Sequence, residues 1–222
     1  MRGLDVVHMT ATLLVPVFAW AVARTQRAHI ALAGYLTWIA AAEIVRTVVL
    51  TPLRRGETHP LHGVALVALQ CDRALTLSWQ LLFLACVLHY FLGRGARLAV
   101  LGWVIASAAA IVGYPGNAAT FPQMYSAIHN PATAIAWLAI VFAILRRRRL
   151  APTISHVVLM IYAAADAVVT AFPLLSLPLD LRARWLLVVV CNVTAIAAVI
   201  IAHVVVLFRA RSDAPTTGAV PG

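Results

Sequence analysis

Seven acidic residues occur in the chain, and three of them, Glu43, Asp72 and Asp166, stand inside long apolar stretches. An ionisable group near a bilayer centre costs at least about 2.5–3.5 kcal/mol on insertion scales, so it normally faces protein or water and keeps a partner. These three are the candidate catalytic residues, because a carboxyl shielded from water tends to hold its proton and can hand it to a bound substrate as a general acid. Arg46 lies three residues from Glu43, on a neighbouring position of the same helical face. Asp72, Thr76 and Gln80 recur at four-residue steps, as do Tyr162, Asp166 and Thr170, and each set makes a polar stripe on one helix. Asn192 and His203 are eleven residues apart, again nearly one face. Arg46, Arg73, Thr76, Gln80, Tyr162 and Asn192 form the candidate ligand-binding set. A competing reading makes Glu43 with Arg46, and Asp72 with an arginine of another segment, buried ion pairs that only fix helix register.

Other reactive types carry less. His89, His156 and His203 fall near the same end of their segments, where three imidazoles could hold a metal or haem. No HExxH or HxxxH spacing accompanies them, so the expectation is interfacial histidines with polar tips toward headgroups, no metal site and no cofactor. His59 and His62, in THPLHG, read as a solvated turn, and His129-Asn130-Pro131 as a helix entry or pocket cap. Cys71, Cys86 and Cys191 show no CxxC spacing and read as small buried hydrophobes. All 17 basic residues are arginine; without lysine there is no Schiff base and no phosphate-loop lysine.

The elements that must position these groups follow from composition. With 63% apolar and 11% charged residues and a mean hydropathy of +0.94, the chain is no ordinary soluble enzyme, disordered protein or disulfide scaffold. It reads as an all-α, polytopic membrane bundle. The net charge of +10 resides in short arginine-bearing segments, which suit topology and anionic lipid, not nucleic acid. Seven spans are expected, roughly Asp5 to Ala23, His29 to Leu50, Val64 to Phe91, Leu98 to Gly113, Tyr125 to Leu145, Thr153 to Phe172 and Trp185 to Phe208. Residues 1–211 thus make one seven-helix transmembrane domain, and residues 212–222 a disordered tail. No cleavable signal peptide is expected, so the first span stays in the mature chain.

Arginine counting sets the direction. Ten of them (Arg24, Arg27, Arg94, Arg97, Arg146 to Arg149, Arg209 and Arg211) flank one side; five (Arg2, Arg54, Arg55, Arg182 and Arg184) flank the other. The positive-inside rule then puts the N-terminus out and the C-terminus in. The expected location is the cell membrane, the inner one in a Gram-negative bacterium. Gly102, Ala106 and Ala110 form a small-residue strip suited to close helix contact or a homo-oligomer.

Two local resemblances arise. CNVTAI, Cys191 to Ile196, together with the DxxxT of Asp72 and Thr76, resembles the seventh and third helices of microbial rhodopsins; there Ile196 would be the retinal lysine and Asn192 an aspartate. Both are replaced here, which implies a lysine-less relative unable to form the pigment. The size and the acid on the second helix resemble the small seven-span membrane terpene cyclases, which protonate an alkene or epoxide. Glu43 matches their first acid, whereas Asn192 stands where the second would be and Ala42 replaces the usual tryptophan.

Three readings of function stand together. In the first, a membrane-embedded cavity accepts a lipid-soluble, isoprenoid-like molecule and Glu43 or Asp166 acts on it as general acid, with Asp72 and Arg46 tuning that proton and Tyr162 and Asn192 orienting the substrate. In the second, the chain is a sensor whose Arg146 to Arg149 recruit a cytoplasmic acidic protein partner. In the third, it is a proton-coupled transporter.

Overall fold

The computed structural model describes residues 2–50, 53, 63–93, 121–146, 152–171 and 181–212. Among these residues every element is helical and no strand occurs. Helix α1 (Arg2–Thr25) leads through a 3₁₀ turn (Arg27–His29) into α2 (Ile30–Ile44), which continues as a π-helical turn (Val45–Leu50). Helix α3 (Gly63–Val87) ends in a second π turn (Leu88–Leu92), followed by α4 (Phe121–Arg146), α5 (Ile154–Ala171) and α6 (Leu181–Ser212). These cover six of the seven stretches expected from sequence. The fourth stretch, Leu98 to Gly113, lies outside the described residues, as do the tail beyond Ser212, His59, His62 and Arg147 to Arg149.

Four segments are long and apolar enough to cross a membrane: Val6–Thr25, Arg27–Leu50, Gly63–Leu92 and Leu186–Ser212. Ala132–Arg146 and Ile154–Val169 are shorter apolar helices. The outward faces bear Val17, Leu138, Ile201 and Phe208, each more than 60% exposed. Helices that are apolar on all sides belong in lipid, because hydrocarbon offers no hydrogen bonds and each helix satisfies its own backbone.

Each described helix packs on the next described one and α6 packs back on α1, so these six helices close into a ring. Hydrogen bonds tie three of these neighbouring pairs, α1 with α2, α2 with α3 and α4 with α5, each of which runs antiparallel. Trp20 Nε1 donates to Thr37 Oγ1 (2.9 Å) between α1 and α2, and Trp38 Nε1 to Ser78 Oγ (2.9 Å) between α2 and α3. Thr133 Oγ1 donates to Asp166 Oδ2 (2.6 Å) between α4 and α5. The core between them is a tight apolar layer that includes Leu32, Leu36, Leu84, Val158, Leu159 and Val199. Above this layer lies a cavity; below it lies a histidine cluster.

Candidate functional site

The cavity, about 290 Å³, opens among five helices. Helix α2 contributes Tyr35, Ile39 and Glu43 at four-residue steps, the repeat that stacks side chains on one face. Helix α5 contributes Tyr162 and Asp166 in the same way, and α6 contributes Val188, Asn192 and Ile196. Helix α3 supplies Trp79, Gln80 and Phe83, and α1 supplies His8 and Thr12. Glu43, Gln80, Tyr162, Asp166 and Asn192, picked out from the sequence as polar residues in apolar spans, therefore converge on one space.

The remaining candidates do not line it. Asp72 is 2% exposed and its Oδ1 lies 3.2 Å from Arg46 Nε, while Arg46 Nη1 lies 3.8 Å from Glu43 Oε2. The π turn begins two residues after Glu43, so the wider coil carries Arg46 to a place between the two carboxylates, its guanidinium 5.7 Å from the centroid of the Trp79 ring. For Asp72 this is the ion-pair alternative. Arg73 is fully buried and donates through Nη1 to Gln70 Oε1 at 3.3 Å; Thr76 is buried, with no hydrogen-bond partner for its Oγ1 among the described residues. Each i,i+4 step is 400° of turn, so a stripe drifts by about 40° per step and rises about 6 Å. After two steps Gln80 faces the cavity while Asp72 faces Arg46. The Thr170 side chain lies outside the description, as do those of His129, Asn130 and Trp185.

Several polar groups of the cavity have no hydrogen-bond partner among the described residues. The Tyr35 residue is only 7% exposed, yet among the described residues its hydroxyl has no hydrogen-bond partner, and the same holds for the Tyr162 hydroxyl and the Asn192 carboxamide. Buried polar groups are nearly always satisfied, so such groups around a void point to water or a ligand as the missing partner. Among the described residues no arginine side chain lines the cavity.

Below the apolar layer the histidines are arranged differently from the sequence expectation. His203 is fully buried, and its partner is His29, likewise fully buried, with Nε2 to Nε2 at 3.0 Å. The polar tip of His203 thus points inward, which corrects the expectation of a headgroup-facing imidazole at that position. His203 Nδ1 faces the Val199 carbonyl at 2.7 Å and must donate to it, leaving Nε2 as an acceptor. His29 Nε2–H then donates to that nitrogen, and His29 Nδ1 accepts from the Ser155 hydroxyl at 2.8 Å. One proton arrangement satisfies the whole chain. His156 turns to Thr153 Oγ1 (2.6 Å) and the Tyr90 carbonyl (3.1 Å), and His89 is exposed against the Tyr90 ring, so the three imidazoles expected at one level do not meet. No group of three or more metal-ligating side chains occurs among the described residues.

Sequence reasoning missed Tyr35, Trp79, Phe83, His8 and His29. The aromatics were invisible among apolar neighbours, and His29, beside Arg27, read as a span boundary. The available signal was the four-residue step from Tyr35 through Ile39 to Glu43. At the other end, Arg146 lies with Cζ 5.7 Å from the centroid of the Phe142 ring on its own helix. Set against known protein families, characterised proteins and solved structures, the chain matches none.

Proposed function

We propose that this is a seven-span membrane protein, N-terminus out and C-terminus in, whose cavity binds a lipid-soluble small molecule and acts on it as an enzyme by proton transfer. The observation that carries this reading is the convergence of Glu43 and Asp166 on a 290 Å³ space with unused hydroxyl and amide groups. Asp166 is the proton donor: it is held by the neutral Thr133 hydroxyl, which fixes one oxygen and so aims the carboxyl. Glu43 faces the same space from the opposite wall with Arg46 behind it, and supplies the fixed charge that a developing positive centre would meet. Tyr162 and Asn192 supply donors and acceptors that orient a polar group of the substrate. The apolar remainder of the wall, with Phe83, Ile39 and Ile196, takes its hydrocarbon.

The test is mass spectrometry of lipid extracts from membranes and from the purified protein, comparing wild type with Asp166→Asn and Glu43→Gln at equal protein yield. The expected result is a species retained by the protein, converted by wild type and accumulating unconverted in both variants, with turnover reduced by at least about a hundredfold. Unchanged conversion in both variants would remove acid catalysis by these residues.

A further inference from the structure

Neither acid of the cavity is an unmatched charge. Arg46 pairs with Glu43 and lies against the Trp79 ring, and Asp166 accepts from the Thr133 hydroxyl. What the cavity still offers a ligand is therefore neutral: the Tyr35 and Tyr162 hydroxyls and the Asn192 carboxamide, which have no hydrogen-bond partner among the described residues. Tyr35 is the clearest case, only 7% exposed, with its ring centroid 6.3 Å from that of Phe83. Tyr35 follows Leu32, and Tyr162 follows Leu159, by three residues, about 4.5 Å of helix rise, so both phenols stand on the cavity floor just above the apolar layer. A phenol donates a hydrogen bond readily and accepts one poorly, because its oxygen lone pair is drawn into the ring. Two such donors suit an oxygen that has two lone pairs and no proton of its own, which is a carbonyl oxygen. In hydrocarbon a carbonyl finds no donor, so bonds formed in the cavity are gained outright instead of being exchanged for bonds to water.

We propose that the cavity selects a neutral, lipid-soluble carbonyl compound, its oxygen held by the Tyr35 and Tyr162 hydroxyls and its hydrocarbon against Ile39, Phe83 and Ile196. This rests on the reading that the cavity accepts a lipid-soluble molecule, but not on turnover by the acids. Asn192, one turn from Ile196 on α6, adds an amide N–H as a third donor. Charged head groups fit less well. An ammonium would compete with Arg46 for Glu43, and an anion would stand near the Glu43 carboxylate. An alcohol brings a proton that needs an acceptor, which the phenols of the floor supply poorly.

The experiment uses the full chain in zwitterionic lipid nanodiscs and three probes of one carbon skeleton: heptanophenone, the alcohol made by reducing it, and heptylbenzene. Bound probe is quantified by mass spectrometry after equilibrium dialysis, with the cavity-filling Ala195→Trp and the milder Ala195→Leu giving the background of lipid partitioning. The ketone is expected to bind about tenfold more tightly than the hydrocarbon, and more tightly than the alcohol. Tyr35→Phe and Tyr162→Phe, which keep the rings, should each weaken ketone binding about three- to tenfold and leave heptylbenzene unchanged. Isotope-edited infrared spectra should show the carbonyl stretch of the bound ketone below its position in hydrocarbon, returning toward it in the double tyrosine variant. Ketone affinity and stretch both indifferent to the two hydroxyls would overturn the inference, as would the alcohol bound above the ketone, and either result would leave a cavity for lipid-soluble molecules intact. No probe above the Ala195→Trp background would overturn the cavity reading as well. Ketone held through the tyrosines, with acid variants that convert the natural molecule as the wild type does, would support this inference and remove the acid catalysis alone.

Discussion

The least replaceable side chains outside the cavity are His29 and His203. Each satisfies the other at 3.0 Å with no water access, and Ser155 and the Val199 carbonyl close the two ends. Replacing His203 with phenylalanine keeps the volume but leaves the His29 Nε2–H and the Ser155 hydroxyl in an incomplete chain. Leaving a buried donor unpaired costs about 1–3 kcal/mol. His203→Phe and His29→Phe should therefore each lower thermal stability in detergent by several degrees, and the double variant should cost less than the sum of the two. Additive losses in a double-mutant cycle would mean that the pair is not the unit that stabilises this end. Visibility in the sequence divides along the same chemistry. Glu43, Asp166, Gln80, Tyr162 and Asn192 could be found because polar atoms stand out in apolar spans. Tyr35 and Phe83 could not, since an aromatic ring reads as core whether it meets a leucine or a void.

At the scale of the element, the apolar runs set the limits of the four membrane-length segments well, because runs of about 20 residues bounded by arginine have few other interpretations. Periodicity does not reveal the π turns. The turn at Val45–Leu50 decides what Arg46 touches, and a regular helical wheel cannot place that residue between Asp72 and Glu43. Its side chain is 40% exposed whereas that of Asp72 is 3% exposed, so the two ends of the pair are not equivalent. Arg46→Met removes a charged partner of a buried carboxylate and should cost roughly 1–3 kcal/mol, less than a fully buried pair because the guanidinium keeps some contact with solvent. Asp72→Asn should cost less, because the exposed arginine retains Glu43. Chemical denaturation of both variants checks the order, and a larger loss for Asp72→Asn would reverse this account. The second π turn ends at Gly93, whose φ of 75° suits glycine and whose N–H reaches the His89 carbonyl. A β-carbon there meets open space, so Gly93→Ala should lose about 1–2 kcal/mol from backbone strain alone.

For the molecule as a whole, the order of layers matters more than any single contact: an acid-bearing cavity, an apolar layer, then the histidine cluster. Closure of α6 on α1 gives each described helix at least two neighbours, and large apolar side chains remain exposed on their other faces. Were the surroundings water, those faces would be a severe aggregation hazard, and a charge placed on them would be nearly neutral for stability or even helpful to solubility. In hydrocarbon the sign reverses. Ile201 is 62% exposed near the middle of the long apolar segment Leu186–Ser212, and Leu138 is 69% exposed on the shorter helix Ala132–Arg146. An arginine at a bilayer centre costs about 2.5–3.5 kcal/mol on insertion scales. Ile201→Arg should therefore reduce the fraction of chain that resists alkaline extraction from membranes, and Leu138→Arg should do so less if its shorter helix leaves the arginine room to reach the interface. If both variants were extracted and melted like the wild type, the outward faces would not be meeting lipid, and the acids of the cavity would lose the environment on which their proposed chemistry depends.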